Sequence, residues 1–225
     1  MNHVNHLLPA LLLLALPACK GQPANPDNST ATATARPIRT FSERCEHCDL
    51  MYIGMPADIN SVDTSIGWTE QKQKLVITGT VYQLDGKTPA SDIIVYYYHT
   101  DDEGYYSPRA GMDEKETQHG HLRGWIKTGA DGKYAIYTGR PASYPNGRAP
   151  QHIHLLIKEP DLDNEYYIDD FVFDDDPNLV ETERKRLQNR GGNGILKVKQ
   201  SGDVQMASHD IILGLNIPGY PQAGR

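Results

Sequence analysis

The chain has 225 residues, of which 38% are hydrophobic and 23% charged, and it carries a net charge of −7 with an isoelectric point of about 5.7. This length suffices for one sizeable hydrophobic core, with or without an extension. The acidic balance argues against a surface for nucleic acid or an anionic membrane, so no nucleic-acid partner is expected. Thirteen tyrosines against three phenylalanines suit the half-buried surface of a β-sheet.

The N-terminus has the composition of a targeting segment. Residues 7–17 form an apolar run that is too short to span a bilayer and that ends in small residues before Cys19. Leu-Pro-Ala-Cys at residues 16–19 resembles a bacterial lipoprotein box, although Pro17 and the lack of Lys or Arg among the first six residues depart from it. The resemblance implies a signal peptide over residues 1–18, acylation of Cys19, and an extracytoplasmic, lipid-anchored protein on the periplasmic or cell-surface side. A secretion signal without lipidation is the alternative.

Two segments precede the region of regular pattern. Residues 19–40 are rich in Pro, Ala, Thr, Asn and Ser, which predicts a flexible tether. Residues 41–70 form an N-terminal extension with a Cys-x-x-Cys motif at Cys45 and Cys48. If Cys19 is acylated, these are the remaining thiols, and outside the cytoplasm we expect them to form a local disulfide. A redox role or half of a metal site are the alternatives.

From residue 71 the pattern is that of a β domain, which we expect to span residues 71–225. Short β-prone runs recur about every ten residues between turn signals such as Asp-Gly. The runs predicted as strands cover residues 75–81, 93–99, 122–128, 133–138, 152–157, 166–173, 195–199 and 205–213. The third and fourth runs are predicted to pair as a hairpin, and the last two as a closing hairpin.

One short helix is predicted near the C-terminal part. Pro177 stands near its start, Leu179 and Leu187 follow at roughly helical spacing, and two glycines at residues 191–192 end it. Residues 105–118 predict a long polar loop, and such loops are often functional. Many short strands with little helix indicate a mainly β fold, a β-sandwich of mostly antiparallel strands.

Residues 144–154 have the composition of a metal site. Residues two apart in a strand share a face, so His152 and His154 are expected to point to the same side. Tyr144 lies upstream across a Pro/Gly turn and can fold back over this face. Two imidazoles with phenolates suit a hard, high-valent cation better than zinc. The alternative for this segment alone is a half-buried strand with two solvent-facing histidines.

Five short motifs follow one another between residues 75 and 173. They are Gly-x-Tyr at 104–106, Arg-Gly at 123–124, Thr-x-x-x-Gly-x-Tyr at 128–134, Pro-x-x-Tyr at 141–144 and His-x-His at 152–154. Each motif alone is weak, but their order resembles the intradiol ring-cleavage dioxygenases, the family of catechol and protocatechuate dioxygenases, here in a lipoprotein variant.

The resemblance implies a non-haem Fe(III) centre held by Tyr106, Tyr144, His152 and His154, with a solvent hydroxide as fifth ligand. It also implies that substrate displaces Tyr144, which then accepts a catechol proton. The implied reaction inserts O2 into the ring of a catechol-type aromatic and yields a muconate-type diacid. Tyr105 is the rival of Tyr106, because a slip of one residue changes the face of a strand; the spacing to Tyr144 is in keeping with the family and favours Tyr106.

Two positions depart from the family pattern. The family usually carries Arg three residues before the first histidine, where this chain has Ala149, and the adjacent Arg148 is the candidate for that catalytic role. A neutral Gln is common near the position of Asp170. Both departures concern turnover more than metal binding, so the alternative function is a non-catalytic β-sandwich surface lipoprotein that binds small aromatics or sugars. A transthyretin-like module is a remoter alternative.

Other polar groups are assigned simpler roles. His119 and His121 form a second His-x-His, which predicts solvated loop histidines; lining a pocket entrance or binding metal adventitiously are the alternatives. Arg123 is expected to give structural support under the site. The acidic run at residues 174–176 lacks the spacing of a calcium loop and predicts a solvated turn. The sequence leaves the oligomeric state open.

Overall fold

A computed structural model describes residues 1, 37–41, 45–145 and 147–221 of the chain. Nearly all of them belong to one compact unit, Arg36–Arg225. The predicted signal peptide, Cys19 and most of the predicted tether lie outside the described residues. Within the described part, no helix is long and apolar enough to cross a membrane.

Among these described residues, twelve strands form two six-stranded sheets. In chain order the strands are β1 (Val62–Thr64), β2 (Lys74–Tyr82), β3 (Ile94–His99), β4 (Arg123–Lys127), β5 (Lys133–Gly139), β6 (His152–Lys158), β7 (Tyr166–Tyr167), β8 (Phe171–Phe173), β9 (Ile195–Leu196), β10 (Lys199–Ser201), β11 (Val204–Ser208) and β12 (Ile211–Ile212). One sheet has the order β1-β5-β2-β11-β10, with β12 also paired with β2. The other has the order β4-β3-β6-β8-β9, with β7 also paired with β6. The prediction of a mainly β sandwich is confirmed.

The main hydrophobic core lies between the two sheets. It joins Leu75 and Ile77 of β2 to Val95 of β3 and to Ile153 and Leu155 of β6, all of them fully buried. These positions follow the two-residue repeat of a strand, which sends alternate side chains to the same face. The strands β3 and β6 therefore place their odd-numbered residues in the core and their even-numbered residues on the outer face of the second sheet.

The outer face of β3 and β6 is covered by the N-terminal segment. Tyr96, Tyr98 and Leu156 pack there with Cys48 and Met51. The covering segment contains a 3-10 helix, Cys48–Tyr52, and the disulfide between Cys45 and Cys48. The strand β1 of the same segment pairs with β5. The predicted N-terminal extension is thus part of the sandwich, since it packs on the outer face of one sheet and adds a strand to the other.

The predicted hairpin of residues 122–128 with residues 133–138 is wrong. The strand β4 pairs with β3, whereas β5 pairs with β2, so the turn between them carries the chain from one sheet to the other. A turn between two β-prone runs gives the same sequence signal whether the two strands pair with each other or join different sheets. Only the strands with which each run pairs distinguish a hairpin from such a crossover. The closing hairpin is confirmed for β10 and β11, but β9 joins the other sheet beside β8.

The predicted C-terminal helix is much shorter than its pattern suggested. It is a four-residue helix, α2 (Glu181–Arg184), and none of its residues is buried. Most helical stability in proteins comes from packing an apolar face, and this charged run has none to pack. Unpredicted helical elements are α1 (Gly67–Glu70) and two 3-10 helices, Cys48–Tyr52 and Lys115–Gln118.

His99 at the end of β3 gives the fold a testable pH dependence. Its ring is 1% exposed, with Nδ1 2.8 Å from the Thr100 carbonyl oxygen and Nε2 2.8 Å from the Thr138 hydroxyl. Burial lowers the pKa of His99 from 6.5 to about 4. Because the folded-state pKa is the lower one, the neutral ring stabilises the fold above pH 6.5, and this contribution is lost as the pH falls through 4.

We expect the free energy of unfolding to fall by about 3 kcal/mol between pH 6.5 and 4 through His99 alone. Denaturant titrations across this range measure it. His99→Gln removes the titrating group and retains hydrogen-bonding capacity, so its curve should be flatter. The same pH slope in wild type and variant would contradict the assignment.

Candidate metal centre

Four side chains converge at the beginning of β6. The Tyr106 hydroxyl lies 2.8 Å from the Tyr144 hydroxyl and 2.8 Å from Nε2 of His154. The Tyr144 hydroxyl lies 3.0 Å from Nε2 of His152. The structure therefore brings the four residues of the predicted ligand set into one cluster, with both imidazoles on one face of β6.

Each imidazole is oriented by a partner on its other ring nitrogen. Nδ1 of His152 lies 2.8 Å from the Pro150 carbonyl oxygen, and Nδ1 of His154 lies 2.9 Å from Oδ1 of Asp170. A carbonyl and an ionised carboxylate only accept hydrogen bonds, so each Nδ1 carries the proton and donates it. Each Nε2 then presents its lone pair to the tyrosines, which is the tautomer a metal ligand needs.

Glycine at two positions lets the loop with Tyr106 approach its neighbours closely. Gly104 has a φ of +85°, and a Cβ there would lie 2.1 Å from the carbonyl oxygen of Ser143. Gly120 has a φ of +67°, and its Cβ would lie 2.9 Å from the carbonyl carbon of Tyr106. The Gly-x-Tyr and Pro-x-x-Tyr motifs therefore meet backbone to backbone, and this contact brings the two phenols together.

Tyr106 and Tyr105 differ clearly in position. Tyr105 is 54% exposed, whereas Tyr106 is half-buried and its hydroxyl faces Tyr144 and His154. The geometry therefore favours Tyr106 over its neighbour as a metal ligand.

Burial controls the charge state of the cluster. It raises the pKa of the Tyr106 and Tyr144 phenols and lowers the pKa of His152, to which the neighbouring His154 also contributes. The cluster by itself therefore holds neutral phenols and a neutral imidazole. A bound metal cation reverses this preference for the phenols, because a coordinating group loses its proton to the metal's charge.

Stacked rings support His154 from the outer face of the sheet. The Tyr98 ring lies 4.6 Å from the His154 ring and 3.8 Å from the His119 ring, nearly parallel to the latter. Nδ1 of His119 also lies 3.0 Å from the Tyr96 hydroxyl. The site is thus flanked by a buried aromatic layer on the same face of the sheet.

The prediction that His119 and His121 are solvated is wrong. His119 is 4% exposed, and burial lowers its pKa to about 4. His121 is partly buried, with Nε2 2.9 Å from Glu70 and Nδ1 2.7 Å from the Ser107 carbonyl oxygen. The sequence signal that could have indicated the burial of His119 was the pair of tyrosines on the outer face of β3, because large aromatic side chains there have to be covered by another segment.

Arg123 is buried beside the aromatic layer formed by Tyr96, Tyr98 and His119, and its role as structural support under the site stays a prediction. Its guanidinium pairs with Glu116 at 2.7 Å, and both side chains are about nine-tenths buried. It also lies over the Trp125 ring, 5.3 Å from the centroid.

The acidic run at residues 174–176 anchors the start of β6. Asp176 is 6% exposed, and its Oδ2 accepts the backbone N–H of Gln151 at 2.6 Å. Asp175 pairs with Arg140 at 2.7 Å. The prediction of a solvated turn is wrong for Asp176, which positions the residue next to His152.

The structure shows the surroundings of Asp170 and Ala149, for which the sequence predicted no contact. Asp170, His152 and His154 offer ligand atoms within 4.8 Å of one another, so a carboxylate borders the centre. Ala149 lines a cavity of about 360 Å³ beside His152. Arg148 is exposed, and its catalytic role stays a prediction.

Sequence comparison finds dioxygenases among curated proteins, although no family model matches the chain. The chain is 38% identical over 93 residues to catechol 1,2-dioxygenase 1 of Acinetobacter lwoffii, over 39% of this chain and 28% of the relative. It is 28% identical over 135 residues to chlorocatechol 1,2-dioxygenase of Cupriavidus pinatubonensis, over 51% of each chain. The chain thus spans about half, or less, of the length of these relatives.

Solved structures share the fold. The dioxygenase domain of a dioxygenase carbohydrate-binding protein fusion from Streptomyces sp. SirexAA-E is 20% identical, with a TM-score of 0.52 over 71% of this chain and 91% of that chain. Wild-type catechol 1,2-dioxygenase of Acinetobacter radioresistens is 16% identical, with a TM-score of 0.53 over 75% of this chain and 63% of that chain. The chain is thus similar in sequence to catechol and chlorocatechol dioxygenases over part of its length, and it shares the β-sandwich fold of solved intradiol dioxygenases.

Proposed function

We propose that the chain is a non-haem Fe(III) intradiol dioxygenase that cleaves a catechol-type aromatic with O2 to a muconate-type diacid. The observation that carries this proposal is the convergence of two phenols and two imidazole Nε2 atoms, joined by contacts of 2.8 to 3.0 Å. Phenolates are hard anionic donors, and together with two imidazoles they suit a ferric ion.

The bound metal and the residues of the cluster would have different roles in the reaction. Bound Fe(III) would act as a Lewis acid that withdraws electron density from a coordinated catecholate. His152 and His154 are held rigidly on β6. The family resemblance implies that Tyr144 is the ligand that substrate displaces, and its freed phenolate oxygen can then accept a catechol proton.

The comparisons support the proposed substrate class. The curated relatives named above are catechol and chlorocatechol dioxygenases by name. The alternative is a non-catalytic surface protein that binds small aromatics or sugars, since a fold does not determine an activity.

Oxygen uptake with a panel of catechols tests the proposal. The purified, iron-loaded chain should show a visible tyrosinate-to-iron charge-transfer band and should form a diacid that carries both atoms of labelled O2. A colourless preparation that stays inactive after iron loading would refute it. Tight binding of catechols without oxygen uptake would favour the binding protein.

Asp170 is expected to strengthen metal binding through His154. Asp170→Asn retains an acceptor for Nδ1–H but removes the negative charge, so iron affinity should fall by about 10- to 100-fold. Competition with a chelator measures this. The matched control is Asp169→Asn, because Asp169 accepts the Asn189 backbone N–H instead. Equal iron affinity in wild type and Asp170→Asn would exclude this role.

We also propose that lipid on Cys19 anchors the mature chain outside the cytoplasm. The lipoprotein-box resemblance supports this, and so does the disulfide between Cys45 and Cys48, a bond typical of oxidising compartments. Detergent partitioning of wild type against Cys19→Ala tests it: the wild type should enter the detergent phase and the variant should not. Unchanged partitioning would rule lipidation out.

A further inference from the structure

Asp101 follows β3 and begins the turn that leads to Tyr106. Its carboxylate accepts three hydrogen bonds. Oδ1 accepts the backbone N–H groups of Glu103 at 2.9 Å and of Tyr105 at 3.1 Å, and Oδ2 accepts the hydroxyl of Ser107. Tyr105 and Ser107 are the two chain neighbours of Tyr106, so one carboxylate holds the chain on both sides of this tyrosine.

The backbone of Asp101 closes the same turn. Its carbonyl oxygen accepts the N–H of Gly104 at 3.1 Å, and its own N–H donates to the carbonyl oxygen of Tyr105 at 2.9 Å. Gly104 has a φ of +85°, a conformation that glycine adopts without steric cost. The side chain and the backbone of one residue therefore hold this turn together.

Asp101 also contacts the segment of the second tyrosine. Its carbonyl oxygen accepts the N–H of Ala142 at 3.1 Å, and the hydroxyl of the preceding Thr100 donates to the carbonyl oxygen of Ala142 at 2.6 Å. Ala142 stands two residues before Tyr144 in the Pro-x-x-Tyr motif. Two consecutive residues at the end of β3 therefore hold the segments of both tyrosines.

The Asp101 carboxylate is ionised, which strengthens its hydrogen bonds. Burial raises the pKa of Asp101, but the hydrogen bonds from the Ser107 hydroxyl and from the backbone of Tyr105 and Glu103 outweigh this effect, so the pKa lies below its ordinary value. An ionised carboxylate only accepts hydrogen bonds, and bonds to a charged acceptor are about twice as strong as those between neutral groups. Three charge-assisted hydrogen bonds therefore fix the turn.

Ser107 is anchored on its other side as well. Its carbonyl oxygen accepts the N–H of His121 at 3.0 Å and lies 2.7 Å from Nδ1 of the same histidine. Nε2 of His121 in turn lies 2.9 Å from Oε2 of Glu70. Ser107 is therefore held from two sides, by Asp101 and by His121.

Resting on the proposed function, we propose that Asp101 is a positioning residue of the metal centre. Its hydrogen bonds go to residues beside the ligands, and through them it sets the distance between the phenols of Tyr106 and Tyr144, whose hydroxyls lie 2.8 Å apart. Both phenolate oxygens have to meet one metal ion, and such a site requires its ligands to be held within about 0.5 Å of the required geometry.

Iron binding by the full-length chain tests the proposal, with iron alone as the probe. Asp101→Ala removes all three carboxylate hydrogen bonds, so iron affinity should fall by at least about tenfold and the tyrosinate-to-iron charge-transfer band should shift. Asp101→Asn retains an acceptor for both N–H groups, and its amide can donate to the Ser107 hydroxyl oxygen. This variant should restore most of the affinity and the band. Chelator competition and the visible spectrum measure both.

Asp85→Ala is the matched control. The Asp85 carboxylate also accepts three hydrogen bonds in a turn, from the backbone N–H groups of Lys87 and Thr88 and from the Thr88 hydroxyl, at 2.6 to 2.9 Å. This turn precedes β3, whereas Asp101 follows it. The control should unfold at a lower denaturant concentration than wild type, and its iron affinity and band should be unchanged.

Ser107→Ala keeps the test decisive if Asp101→Ala does not fold. It removes one of the three hydrogen bonds, so iron affinity should fall by a smaller factor and the band should shift in the same direction. Wild-type affinity and spectrum in the folded variants, or an equal loss of iron in Asp85→Ala, would overturn the proposal. The proposed function would then stand, because wild type would still bind iron and show the band. A wild-type chain without the band would overturn both.

Discussion

His154→Ala is expected to lower iron affinity by more than about 100-fold and to remove most of the visible charge-transfer band. Loss of an outer partner of a metal-bound histidine alone costs about 10- to 100-fold, and this change removes the donor atom itself. It also releases the Tyr106 hydroxyl, which lies 2.8 Å from Nε2 of His154. Metal analysis after dialysis and the visible spectrum measure the effect.

The control for this prediction is His47→Asn. His47 is an exposed histidine with a φ of 62°, a conformation that Asn tolerates well, so the change removes an imidazole without strain. Its iron content and spectrum should match wild type. If His154→Ala bound iron as tightly as this control, the four-residue centre would be disproved.

Gly104→Ala is expected to destabilise the fold and weaken the metal centre together. A left-handed backbone costs a non-glycine residue about 1–3 kcal/mol. At Gly104 the new Cβ would also lie 2.1 Å from the Ser143 carbonyl oxygen, so the loop has to move. That movement separates Tyr106 from Tyr144, and both the free energy of unfolding and the iron affinity should fall.

Gly111→Ala is the matched control in the same loop. Gly111 has a φ of +88°, close to that of Gly104, but a Cβ there would meet nothing within 4 Å. It should show the backbone strain alone, with iron affinity unchanged. Denaturant unfolding and chelator competition on both variants separate the two effects. Equal iron loss in both would mean that the contact with Ser143 does not position the tyrosines.

Much of the sandwich was predictable because strand periodicity is a local property. Leu75, Ile77, Val95 and Leu155 stand at alternating positions in β-prone runs, and each lies fully buried between the sheets. Pairing was less predictable, since β4 and β5 flank a hairpin-like turn yet belong to different sheets. The charged run of α2 did not form a longer helix because it has no buried apolar face to stabilise one.

In the candidate site, too, local features were predictable from the sequence and contacts between distant segments were not. The shared face of His152 and His154 follows from a separation of two residues in one strand, and the sequence determines it alone. The Tyr106 and Tyr144 motifs were readable, but their meeting depends on the approach of Gly104 to Ser143, between residues far apart in the chain.

The sequence by itself determined the fold class and the strand carrying the two histidines, since these rest on residue type and short-range spacing, whereas the full set of candidate ligands was implied by the resemblance of its motifs to a known family. Only the tertiary structure decided the burial of His119, the partnership of Asp170 with His154 and the cavity beside Ala149. Each of these depends on packing between segments that are separate in the chain, and no local pattern encodes which segments will meet.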